Sequence, residues 1–182
     1  MKQVILISGK AESGKDYTAE LIKEELENAN QKVLILHFAD LLKFLCTKFF
    51  AWDGKKNKKG RSLLQETGQR VRSYDKNYWV DEVCKIINIF KNDFDYFIVP
   101  DTRFENEINI PKQEFGENVQ VIRIIRDNWQ NQLTQEQRNE ISETALDGKE
   151  YLFDKIIHNP GNYEKYIKII RKEITNPLIK IN

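Results

Sequence analysis

The sequence predicts a doubly wound α/β fold: a mainly parallel five-stranded sheet of the P-loop type flanked by helices, with mobile segments beside it. Three observations point there. Short continuous aliphatic runs recur along the chain, as expected of strands buried on both faces. They alternate with stretches whose apolar residues repeat at helical spacing. A glycine-bounded turn ending in lysine, Gly9 to Lys15, separates the first run from the first such stretch. The 182 residues, 40% hydrophobic and 11% aromatic, suffice for a single core-bearing domain over 1–182.

Residues 4–8 form the first predicted strand. Beyond Lys15, the residues Leu21, Ile22 and Leu26 mark a helix that fades at 28–30. Residues 33–38 give the second strand, and after Asp40 the residues Leu41, Leu42, Leu45, Phe49 and Phe50 share a helical face. Residues 53–61 are polar, basic and glycine-containing, and read as a mobile surface segment. One helix is expected over about 62–72. A second, with Asp75 as its N-cap, carries Trp79, Val80, Val83, Cys84, Ile87 and Phe90. Residues 96–100, 119–125 and 153–158 supply three more strands, and Tyr163, Tyr166, Ile167, Ile170 and Ile174 a closing helix. The polar stretch 128–140 has little core-forming content and reads as a lid.

A formal charge of +1, from 29 Lys and Arg against 28 Asp and Glu, argues against a nucleic-acid-coating protein. The apolar runs are far too short to span a membrane, and no signal peptide is recognisable, so a cytoplasmic protein is expected. Cys46 and Cys84 make no disulfide framework, and His37 and His158 stand at no metal-ligand spacing.

Gly9, Lys10, Ala11, Glu12, Ser13, Gly14, Lys15 and Asp16 fit G-x-x-x-x-G-K followed by Asp in place of the usual Ser or Thr. Glycines let the backbone approach an anion, the helix N-terminus favours negative charge, and Lys15 reaches the outer phosphates. Asp16 suits either a hard cation such as magnesium or the positive end of the helix dipole. Asp101 follows the third strand, at the end where open α/β sheets place their ligand crevice, and reads as a second magnesium-organising carboxylate; Arg103 would face the same crevice. No guanine-reading Asn-Lys-x-Asp occurs, which argues against an ordinary GTPase. An acceptor that is itself a phosphate monoester needs arginines rather than a general base, and Arg61, Arg72, Arg103, Arg126 and Arg138 are available.

Several stretches together resemble the phage-type deoxynucleoside monophosphate kinases, a branch of the P-loop nucleoside monophosphate kinases. They are ISGKAESGKD (7–16), HFAD (37–40) with Lys43, GRSLLQETGQRVRSYDKNYWVDEV (60–83), PDTRFENEI (100–108), and SETALD (142–147) followed by FDKIIHN (153–159). The Asp after the loop lysine is shared with animal-type phosphomevalonate kinases. The likeness covers nearly the whole chain; one departure is Glu140, where related sequences often carry His. It implies transfer of the γ-phosphoryl of ATP, with Mg2+, to a deoxynucleoside monophosphate, in the host cytoplasm if the protein is phage-encoded. Residues 9–16 and Tyr17 would hold the donor, and Asp16 and Asp101 the metal. Arg61, Gln65, Arg72, Arg103, Asp101 and Glu143 would serve the acceptor side. Lys15, Arg72, Arg103 and Arg126 would be catalytic, Arg126 and Arg138 closing from the lid. An acceptor-binding insertion is expected over about 41–90 and the lid over about 127–150. Phe38, Gln65 and Trp79 favour a planar base over an isoprenoid acid. The alternatives are a kinase of another phosphorylated metabolite such as phosphomevalonate, a non-catalytic nucleotide-binding regulator, and a nucleic-acid end-processing enzyme using the basic residues 55–61. No nucleic-acid or membrane partner is expected, and the oligomeric state is open, a homodimer included.

Overall fold

The computed structural model describes residues 1–55, 57–128 and 133–180. The strands among them are β1 (Gln3–Ser8), β2 (Val33–Ile35), β3 (Tyr96–Thr102), β4 (Val119–Arg126) and β5 (Lys155–Asn159). They form one sheet in the order β2-β3-β1-β4-β5, with every neighbouring pair parallel. The helices are α1 (Lys15–Asn28), α2 (Asp40–Phe50), α3 (Lys58–Tyr74), α4 (Tyr78–Phe90), α5 (Asn106–Phe115), the short α6 (Gln135–Arg138) and α7 (Ile141–Thr144), and α8 (Tyr163–Ile170). A π-helical turn, Arg171–Thr175, joins α8 to α9 (Asn176–Lys180).

β1 takes the centre because Val4, Ile5, Leu6 and Ile7 are apolar on both faces, and all four are fully buried. On one face Ile5, Ile7, Ile122 and Ile124 pack with Ile22 and Leu26 of α1 and Ile170 of α8. On the other, Val4, Leu6, Val99 and Val121 pack with Leu42, Val83, Ile87 and Ile108 of α2, α4 and α5. All five strands point the same way, so the turns after β1, β3, β4 and β5 meet along one edge.

The structure departs from the periodicity in identifiable places. The second strand stops at Ile35 instead of running to residue 38, because the Phe38 and Ala39 amides turn aside to the Asp101 carboxylate. α3 begins at Lys58, where the Asn57 side chain accepts from the Gly60 amide at 2.9 Å and caps it. Asp75 ends α3 and does not cap α4; its Oδ1 accepts from the amide of Asn77, the residue that precedes α4. α5 gave no sequence signal, since its ten residues include Pro111 and few aliphatics. Within the polar stretch, Thr134 and Gln137 cap each other reciprocally and start α6. The last strand begins at Lys155, after a 3₁₀ turn over Glu150–Leu152. Lys56 of the expected basic segment and residues 129–132 of the expected lid lie outside the described residues. Among the described residues no helix is long and apolar enough to cross a membrane.

Candidate active site

The loop between β1 and α1 is shaped by backbone that most side chains avoid. Glu12 and Gly14 have φ of 63° and 99°, and a Cβ on Gly14 would lie 2.7 Å from Asn159 Nδ2. Asn159, at the end of β5, donates that Nδ2 to the Ser13 carbonyl at 3.0 Å and so ties the last strand to the loop. The N-terminus of α1, with its unsatisfied amides and positive dipole end, closes the loop from below. Lys15 is only 7% exposed, and its Nζ donates to the Lys10 carbonyl at 2.9 Å. Burial, and next the charge of Arg103, lower its pKa to about 8 against the opposing pull of Glu143, Asp16 and Asp101. Ser13 Oγ is buried with no hydrogen-bond partner among the described residues. A buried lysine beside an orphaned hydroxyl is a cradle shaped for an anion.

The segment 140–149 straps across this loop. Glu143 Oε2 accepts from the Ala11 amide at 2.9 Å, while its Oε1 receives Arg103 Nη1. Arg103 Nη1 also donates to the Ser142 carbonyl at 2.9 Å, and Lys10 Nζ donates to the Glu143 carbonyl and to Asp147. Arg126, at the end of β4, donates to the Glu12 carbonyl at 3.2 Å. Tyr17 packs its ring against Tyr163 and Tyr166, with centroids 5.8 and 6.2 Å away.

Asp101 is held by two amides, Phe38 N at 2.9 Å and Ala39 N at 3.0 Å, one on each carboxylate oxygen. Asp16 is largely exposed, with His37 Nε2 3.9 Å from its Oδ1. Among the described residues no group of three or more His, Cys, Asp or Glu side chains forms a metal cage. One or two carboxylates beside a phosphate site suit magnesium, which keeps most of its water and completes its shell with phosphate oxygens. Asp16 and Asp101 fit that description.

Beyond Arg103, a cleft of about 480 Å³ opens between α3 and the α6–α7 segment. Gln65, Glu66, Gln69 and Arg72 line it from α3, Phe104 from the turn after β3, and Glu136, Asn139, Glu140, Ile141 and Ser142 from the strap side. The Arg72 guanidinium lies over the Phe104 ring at 4.3 Å and its Nη2 is 3.5 Å from Glu107. Gln65, Arg72 and Phe104 therefore meet in one place. Arg61 sits in the first turn of α3 and Arg138 ends α6, neither among the lining residues.

Two expectations are corrected. Trp79, 3% exposed, is core: its ring packs edge-on to Tyr78 and its Nε1 faces the Gly68 carbonyl at 3.4 Å. Phe38, 4% exposed, is also core, and only its amide serves the site. Both aromatics fill apolar positions in the core and present no face to a base. Sequence reasoning missed Glu107, Gln69, Asn139 and Asn159, polar residues that stand inside quoted or neighbouring motifs but acquire meaning only from partners far along the chain.

The family model described as phosphomevalonate kinase matches residues 7–117, which include the phosphate loop, Asp101, Arg103 and Glu107. Among solved structures, the dephospho-CoA kinase of Campylobacter jejuni superposes with a TM-score of 0.54 at 18% identity, covering 98% of this chain and 100% of that one. A mutant APS kinase of Mycobacterium tuberculosis gives 0.52 at 12% identity, covering 97% and 96%. Both likenesses show the P-loop kinase fold. No curated protein matches the sequence.

Proposed function

The chain belongs to the phosphomevalonate kinase family, phosphotransferases of the P-loop kinase fold, and on that premise we propose that it transfers the γ-phosphoryl of ATP to a deoxynucleoside monophosphate. The observation that carries the choice of acceptor is the lining of the cleft. Arg72 is the one cation among the described residues that line it, beside the amides of Gln65, Gln69 and Asn139 and the carboxylates of Glu66, Glu136 and Glu140. One guanidinium fork suits one phosphate, amides suit the polar edge of a base, and three carboxylates repel a second anionic group. Phosphomevalonate carries a carboxylate as well as a phosphate, so the lining disfavours it, although the description of the matching family model favours it.

In this reading Lys15 and the loop amides hold the donor phosphates, Arg72 the acceptor phosphate, and Arg103 stands between them with its guanidinium on the strap. Catalysis is then alignment and charge neutralisation rather than proton transfer, because the attacking oxygen is already anionic. Magnesium held by Asp16 and Asp101 would supply charge neutralisation at the donor phosphates. The test is an ADP-release assay with ATP and Mg2+, offering each deoxynucleoside and ribonucleoside monophosphate and phosphomevalonate, with Lys15→Ala as control. Stimulation by deoxynucleotides, lost in a folded Lys15→Ala protein, supports the proposal. Stimulation by phosphomevalonate alone replaces it with the second reading, and full activity in Lys15→Ala removes the mechanism.

A further inference from the structure

Glu107 is a carboxylate 3% exposed in the first turn of α5, and the donor loop, the metal carboxylates and the strap leave it unused. Its Oε2 accepts from the Arg103 amide at 2.7 Å and the Phe104 amide at 3.1 Å, which folds the turn after β3 around it. Its Oε1 stands 3.5 Å from Arg72 Nη2. Arg72 is thereby enclosed on three sides: the carboxylate of Glu107, the Phe104 ring at 4.3 Å, and the bare backbone of Gly68 on its own helix. A Cβ on Gly68 would come within 3.2 Å of Arg72 Nη1, so the guanidinium lies closer to this backbone than a side chain there would comfortably allow. A long arginine on a helix loses considerable rotamer freedom when it is fixed in this way, and fixing it in advance removes that cost from ligand binding.

We propose that Glu107 is a positioning residue for the acceptor: through Arg72 it presets the guanidinium fork that receives the acceptor phosphate, while the Arg103 and Phe104 amides keep Glu107 itself in place. The proposal rests on the reading of the cleft as the acceptor site. The charges facing Glu107 are Arg72 from α3 and Asp101 from β3, while Arg103 meets it through its backbone amide.

The test uses Glu107→Gln, which keeps an oxygen for the two amides and removes the charge. Thermal melting establishes that the variant folds. The acceptor KM is expected to rise about tenfold, with the ATP KM unchanged, as loss of a positioned binding group requires. In an Arg72→Ala background the same substitution is expected to add nothing further, since both act through one guanidinium. Equal losses in both backgrounds, or a parallel rise in both KM values, would overturn the proposal. A second measurement needs neither a variant nor an acceptor. In the unmodified protein at pH 8, the 15N resonances of the Arg72 guanidinium should show slowed rotation about Cζ, and freely averaged resonances would overturn the proposal. If no deoxynucleotide is turned over, the proposed function fails while this measurement still decides whether Arg72 is fixed before any ligand binds, as the proposal requires.

Discussion

Lys15 and Glu107 illustrate how burial prepares a residue for an ionic partner. Burial, ahead of the charge of Arg103, lowers Lys15 to about 8, so close to half of the molecules carry it uncharged at that pH. Donor phosphates favour the charged form, and nucleotide binding at pH 8 should take up about half a proton per site. Calorimetry in buffers of differing ionisation enthalpy measures this; no uptake at pH 8 would mean that Lys15 does not meet phosphate. Glu107 is pushed the opposite way on its own scale, from an ordinary 4.5 up to about 7, by burial against the pull of the Arg103 amide and despite Arg72. The folded state therefore binds its proton more tightly than the unfolded state. The stability associated with that proton is complete below about 4.5 and is lost as the pH rises to about 7. Denaturant titrations from pH 4.5 to 7.5 should show this decline in the unmodified protein, and Glu107→Gln should lack that component.

At the scale of the element, α3 carries a residue that helix propensity would not choose. Gly68 is buried in the interior of a 17-residue helix, where alanine is favoured by about 1 kcal/mol in isolation. Here the added Cβ would press on Arg72 Nη1 at 3.2 Å and Leu42 Cδ2 at 3.3 Å. Gly68→Ala is expected to bring no gain in melting temperature and to raise the acceptor KM roughly fivefold by displacing the guanidinium. An unchanged acceptor KM would show that Arg72 tolerates the shift. Elements with a strong apolar period were legible: β1 from its aliphatic run, and α1 from Leu21, Ile22 and Leu26. α5 was not, because its signal lies in Glu107 and Pro111, which periodicity does not read. Trp79 and Phe38 were misplaced for a related reason, since an aromatic has the same pattern whether it packs inward or faces a ligand.

Across the whole molecule, the candidate site is assembled from turns that the sequence shows one at a time. The phosphate loop and Asp101 could be read from their place after strands, but the Ala11–Glu143 and Ser13–Asn159 contacts join positions more than a hundred residues apart. Glu143 has one oxygen on the loop amide and the other on Arg103, so in the proposed reaction it would span the donor and acceptor sides. Glu143→Gln should therefore raise both KM values, each roughly tenfold, because hydrogen bonds to charged groups are worth about 1.5–3 kcal/mol. Two-substrate initial-rate kinetics distinguish this from the acceptor-only effect of Glu107→Gln; a change confined to one KM would break the assigned link. The strand order has a further consequence during synthesis. β1 pairs with β3 from Tyr96 and with β4 from Val119, so the hydrophobic segment made first waits for partners made much later. Until then Val4 to Ile7 is an unpaired, uncharged, β-prone segment on a nascent chain, which makes ribosome-stalled or truncated forms ending before β4 the species most prone to self-association and most in need of a chaperone.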